Sequence, residues 1–138
     1  MAQATSQSER LLLRIGSIAF ITGIVIVIIS TAFHPSREDP GNHPLVFAEY
    51  ASHDTWIAVH IAQFAGGIMV SAGGFVILFR LLVQSESNMV PVLAWIGLAL
   101  AMTTASAIAV LQAVDGMALK MAVDSWVAAP PEEKALII

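Results

Sequence analysis

Three long apolar stretches alternate with polar stretches along the chain. They run from about residue 11 to 33, from 55 to 82 and from 89 to 118, and helical spacing continues after the third to about residue 128. A helix of this length can cross a bilayer core of about 30 Å at roughly 1.5 Å per residue. The pattern predicts an all-α integral membrane bundle, a single domain over residues 1–138 with three transmembrane helices.

The first apolar stretch has a competing interpretation as a secretory signal peptide, because Arg10 and Arg14 precede its uncharged core. Its uncharged core, residues 15–33, is longer than the roughly 7–15 residues of a signal core, and no A-x-A cleavage site follows it. We therefore expect a retained membrane anchor.

Residues 34–54 form a polar loop between the first two helices. It contains three prolines and three of the four histidines, His34, His43 and His53. Within it, residues 45–51 are predicted to form a short amphipathic helix on the membrane surface, anchored by Phe47 and Tyr50.

Small residues recur at helical spacing in all three stretches. Gly16, Gly23 and Ser30 are seven residues apart, and the series His53, His60, Gly67 and Gly74 repeats the same interval. Gly97 begins a four-residue spacing of alanines in the third stretch. Helices in lipid approach closely through such positions. The predicted packing glycines are Gly16, Gly23, Gly67, Gly74 and Gly97.

Two pairs of polar residues interrupt the apolar helices near one end. His60 and Gln63 share a face of the second helix, and Gln112 and Asp115 share a face of the third. Since these helices should be antiparallel, His60 is expected near Asp115 and Gln63 near Gln112, with His34 arriving from the first helix. The candidate polar cluster or ligand site is His34, His53, His60, Gln63, Gln112 and Asp115.

Composition narrows the classes of function. The chain is 57% hydrophobic and 12% charged, as expected of a membrane protein whose main partner is the lipid bilayer. Its net charge of −4, without a basic run, argues against a nucleic-acid partner. The absence of cysteine excludes disulfides, thiolate metal sites and iron–sulfur clusters.

One block of sequence carries a family resemblance. Residues 113–120 (AVDGMALK), 123–126 (VDSW), 129–130 (AP) and 133–134 (EK) resemble a block in a family of uncharacterised bacterial multi-pass membrane proteins. Members are usually longer, which implies a shortened or truncated member here. The family has no established activity to transfer. The resemblance implies a bacterial inner (plasma) membrane, and Arg10 and Arg14 predict a cytoplasmic N-terminus.

Three functions fit these observations. The leading hypothesis is a non-catalytic structural or accessory membrane component, with no cofactor, that packs into a homo-oligomer or a larger membrane complex. The second is a haem- or divalent metal-binding redox protein, whose ligands, if any, would be His34 and His60. The third is a small transporter or channel that uses Asp115 as its functional charge.

Overall fold

The computed structural model describes residues 6–34 and 41–134, and these residues contain helices and no strand. The helices are α1 (Gln7–Ala32), α2 (His43–Ser52), α3 (Trp56–Val83), α4 (Met89–Gln112), α5 (Leu119–Ala128) and α6 (Pro131–Lys134). A π-helical segment, Ala113–Ala118, joins α4 to α5. Three segments lie outside the described residues: the N-terminal residues 1–5, residues 35–40 of the predicted polar loop, and the C-terminal residues 135–138.

Three helical stretches are long and apolar enough to cross a membrane, which confirms the predicted all-α membrane fold. They are Gln7–Ala32, Trp56–Val83 and the 40-residue stretch Met89–Ala128, which contains α4, the π segment and α5. The first starts earlier than predicted, because Ser6 caps it by accepting a hydrogen bond from the Glu9 backbone N–H at 3.2 Å. Glu9 in turn accepts a hydrogen bond from Arg80 at 2.8 Å.

Helices α1 and α3 form the closest contact of the bundle. Gly16, Gly23 and Ser30 are the buried residues of α1, in the predicted seven-residue series. Gly16 meets Gly73 of α3, and Gly23 meets Gly66; both α3 glycines are buried. A Cβ atom at Gly66 would lie only 2.9 Å from the Gly23 carbonyl oxygen, so the two backbones touch. Glycine is required here because a side chain would separate the helices.

The packing glycines predicted in α3 and α4 need correction. A Cβ at Gly67 would meet nothing within 4 Å, and one at Gly74 would meet only the Phe20 ring, at 3.3 Å. The prediction assigned one face of α3 both to His60 and to packing, but six residues of helix turn Gly66 about 120° away from His60. Gly97 is exposed, with no atom within 4 Å of its Cβ position, so it is not a contact within this chain.

The short helices α2 and α5 pack together at the end of the bundle where α3 begins. Helix α2 contains the predicted residues 45–51, but its aromatic rings contact protein rather than serving only as lipid anchors. Phe47 lies against Trp126 of α5, with ring centroids 5.4 Å apart, and Tyr50 lies against Trp56 at 4.3 Å. Lys120 donates to the Ala51 carbonyl oxygen at 2.8 Å, which places a positive charge at the C-terminus of α2.

Candidate metal centre

Three potential metal ligands come together at the end of the bundle where α1 ends and α3 begins, here called the histidine end. His34 follows α1, His60 lies in the second turn of α3, and Asp115 lies in the π segment. Each residue offers one ligand atom, and these atoms all lie within 4.8 Å of one another. The site therefore draws on three separate segments of the chain.

His60 is the fixed member of the trio. Its side chain is only 3% exposed, and its Nδ1 lies 2.8 Å from the Trp56 carbonyl oxygen. Gly116 provides the space for its ring, because a Cβ at Gly116 would lie 2.6 Å from the His60 Cβ. The ring also lies against Trp56, with centroids 4.7 Å apart. These contacts hold His60 in one orientation.

The π segment positions Asp115. An Asp115 carboxylate oxygen lies 3.2 Å from Nε2 of His60, so the predicted pairing of these two residues is present. The Asp115 backbone carbonyl accepts a hydrogen bond from the Trp56 indole N–H at 3.1 Å. Wide π turns are frequent at functional sites. Here the wide turn allows one residue to contact α3 through both its side chain and its backbone.

His34 completes the group from the side of α1. Its ring centroid lies 5.2 Å from that of His60 and 5.3 Å from that of Trp56. The ring is partly exposed, in contrast to His60. The trio thus has one buried histidine, one partly exposed histidine and a carboxylate.

The hydrogen bond of His60 Nδ1 determines what its other nitrogen can do. A carbonyl oxygen only accepts, so Nδ1 must carry the hydrogen in its contact with Trp56. On a neutral ring, Nε2 then presents a lone pair towards the Asp115 carboxylate. Two acceptors in contact require a positive centre between them, which is either a proton or a metal ion. Donation from the distal nitrogen to a backbone carbonyl is the usual way of orienting a metal-binding histidine.

The distances suit a metal ion better than a haem. Bonds of about 2.1 Å in a tetrahedral site separate ligand atoms by roughly 3.4 Å, close to the 3.2 Å between His60 and Asp115. A haem between His34 and His60 would hold the ring centroids roughly 6 Å apart, on opposite sides of the porphyrin. The observed centroids lie 5.2 Å apart, closer than that arrangement.

The other predicted members of the cluster lie elsewhere. Gln63 donates to the Thr31 hydroxyl at 3.3 Å, so it contacts α1 and not Gln112. Gln112 lines a cleft between α3 and α4, and its Oε1 is buried without a hydrogen-bond partner within the described ranges. His53 caps the end of α2 through its backbone and does not belong to the trio.

Two contributors to the site were not identified from the sequence. Trp56 is not among the predicted site residues, although its indole N–H and carbonyl contact Asp115 and His60. Gly116 is not among them either, although it admits the His60 ring. The available signal was the adjacent pair Asp115-Gly116 beside an apolar helix, since a carboxylate next to a glycine suggests a close approach.

The comparisons with known proteins add no assignment to this geometry. No family model, curated protein or solved structure matches the chain.

Proposed function

We propose that this integral membrane protein binds one divalent first-row transition metal ion through His34, His60 and Asp115. The observation that supports the proposal is the opposed lone pair and carboxylate at 3.2 Å, fixed by the Nδ1 hydrogen bond to Trp56. Two imidazoles and one carboxylate suit zinc, iron or cobalt, whereas magnesium and calcium prefer oxygen ligands.

Three protein ligands leave coordination positions open. Sites closed by four protein ligands are usually structural, while three-ligand sites accept water or a substrate. Asp115 is 48% exposed, so the open side of the site faces away from the packed helices. The proposed site can therefore exchange its ion with the surroundings, which suits metal binding or delivery more than permanent structural bracing.

The location of the site is part of the proposal. We place the protein in a bacterial inner membrane with its N-terminus in the cytoplasm, because Arg10 and Arg14 lie in the first two turns of α1. The histidine end then lies at the outer surface, where His34, Asp115 and the α2–α5 pair would meet ions from outside the cell.

The competing function is the non-catalytic membrane component, in which a proton takes the place of the ion. The His60–Asp115 contact would then join α3 to the π segment by a hydrogen bond of about 0.6 kcal/mol, a typical value in a membrane protein. Both functions need the same geometry, so the distinction lies in whether metal binds.

Cobalt binding tests the proposal directly. We expect purified protein, first treated with a chelator and then dialysed, to bind one Co²⁺ per chain and to develop visible absorption from the bound ion. His60→Ala and Asp115→Asn should lose this absorption. His53→Ala is the matched control and should keep it, because His53 lies outside the trio. Absence of binding, or equal binding by all variants, would leave the proton-bridged structural pair as the better account.

A further inference from the structure

Two neighbouring clefts form a groove along the bundle between α3 and α4, and the first of them begins beside His60. The part nearer the histidine end, here called the upper part, is a cleft of about 250 Å³ lined by His60, Gln112 and apolar residues. Its lower part is a cleft of about 500 Å³ that reaches Leu98. Phe64 and Ala109 line both clefts, so the two are adjacent. The larger cleft has the size of a small-molecule site, about 300–1,000 Å³.

The groove is polar at one end and apolar along its length. At the upper end, the Gln112 Oε1 is buried and accepts no hydrogen bond from the part of the chain that the structure describes. A buried amide oxygen that accepts no hydrogen bond has lost its water without a replacement, which is unfavourable. Lower down, the Ser106 hydroxyl is already satisfied by the Met102 carbonyl oxygen at 2.9 Å. The ligand that fits best therefore has a donor at its head and an apolar tail.

The charges around the upper end select the kind of head group. A phosphate or carboxylate group offers only acceptors and cannot donate to the Gln112 Oε1, whether or not an ion occupies the neighbouring His60–Asp115 site. Lys120, the nearest cation on the same helical stretch, is held by the carbonyl oxygens of Tyr50 and Ala51 and by Asp124. A neutral hydroxyl is thus favoured over the anionic or zwitterionic head of a phospholipid.

We propose that the groove binds one long-chain lipid with a neutral hydroxyl head, the chemistry shared by isoprenoid alcohols and quinols. The hydroxyl donates to Gln112 Oε1, and the chain follows α4 from Gln112 to Leu98, about 21 Å at 1.5 Å per residue. The alanines at 101, 105 and 109 provide the shallow floor for the chain. The proposal does not depend on the metal, because Gln112 is not a ligand in the trio.

Photo-crosslinking of the full chain in nanodiscs tests the inference. The probe is a C16 alcohol with a diazirine near its tail, and the matched probe is the methyl ether of the same molecule, which lacks the donor. We expect the alcohol to label α3 and α4 in the groove, and the ether to label them about three- to tenfold less, as the loss of one hydrogen bond predicts.

Variants separate the head from the tail. Gln112→Leu should reduce labelling by the alcohol to the level of the ether, and Ala105→Phe should block labelling by filling the tail cleft. Ala99→Phe adds the same bulk to an exposed position of α4 outside the groove and should be labelled as strongly as the wild-type chain.

Competition experiments distinguish the two sources of the lipid. Competition by farnesol would identify isoprenoid alcohols, and competition by decyl-chain ubiquinol would identify quinols.

Equal labelling by alcohol and ether on the wild-type chain would overturn the inference, even if a variant failed to fold. Equal labelling of the Ala105→Phe variant and the wild-type chain by the alcohol would also overturn it. Cobalt binding is read separately, so loss of lipid labelling with cobalt binding intact would reject the groove and keep the metal site. The reverse result would reject the metal site alone.

Discussion

At the scale of single residues, His60 shows how a polar side chain is accommodated in an apolar helix. One ring nitrogen is satisfied by the carbonyl oxygen one turn before it, and the other faces Asp115. Tyr50, Trp56 and His60 form a continuous aromatic group, because Trp56 lies in ring contact with each of the others. Removing one member of the His60–Asp115 pair leaves its partner without a counterpart, which makes the contribution of the pair measurable.

A double-mutant cycle should reveal coupling between His60 and Asp115. With a chelator present, His60→Ala and Asp115→Ala should each lower the free energy of unfolding in detergent. The double variant should lose about 1 kcal/mol less than the sum, because the second change no longer strands a polar group. Gln63→Ala with Asp115→Ala is the control cycle and should be additive within ~0.5 kcal/mol, since Gln63 contacts Thr31 instead. Additivity in both cycles would show that the two residues are independent.

At the scale of elements, α3 is the central helix because it uses different faces for different neighbours. Gly66 and Gly73 face α1, whereas His60 faces the π segment. Phe79 meets Trp95 of α4 edge-on, with ring centroids 4.7 Å apart. A helix with three partners cannot use one seven-residue series for all of them.

Substitutions at adjacent glycines should therefore differ in effect. Gly66→Ala should lower the free energy of unfolding in detergent by about 1–3 kcal/mol, because its Cβ would lie 2.9 Å from the backbone of α1. Gly67→Ala has open space and should be neutral or stabilising, since alanine favours a helix by up to about 1 kcal/mol over glycine. If the two variants had the same stability, α1 and α3 could not pack as described.

The sequence predicts the helices and the His60–Asp115 pairing because both depend on simple quantities. Apolar length determines the helices, and distance from the helix ends brings two antiparallel polar residues to one depth. Whether Gly66 or Gly67 contacts α1 depends on how α3 is rotated about its own axis. Its sequence is apolar on all sides, so the pattern of apolar residues does not determine that rotation. Gln63 was misplaced for the same reason, since it faces α1 rather than α4.

At the scale of the whole molecule, the α1–α3 pair has polar contacts at both ends and glycine contacts between them. Gln63 meets Thr31 nearer the histidine end, and Arg80 meets Glu9 at the opposite end. In between, the backbones touch at Gly23 and Gly66. This arrangement fixes how far one helix can slide along the other, and it holds His34 beside His60.

Labelling of introduced cysteines should place the two ends on opposite sides of the membrane. The chain has no cysteine, so single variants report one position each. With the proposed orientation, Ser52→Cys should react with an impermeant maleimide in spheroplasts, and Ser87→Cys should react only after lysis. Both side chains belong to exposed residues. Reaction of both in intact spheroplasts would contradict the crossing of α3, and reaction of Ser87→Cys alone would reverse the orientation.

The wide turn between α4 and α5 separates two problems that a uniform helix would couple. In an unbroken α-helix, the direction of each side chain around the axis is set by every residue before it. A π segment changes the number of residues per turn locally, so the residues beyond it are re-aimed relative to those before it. The groove residues of α4 and the two residues that contact α2, Lys120 and Trp126, therefore do not share one regular α-helical register. Deleting one residue within Ala113–Ala118 would rotate the whole outer end of this long helix as a unit.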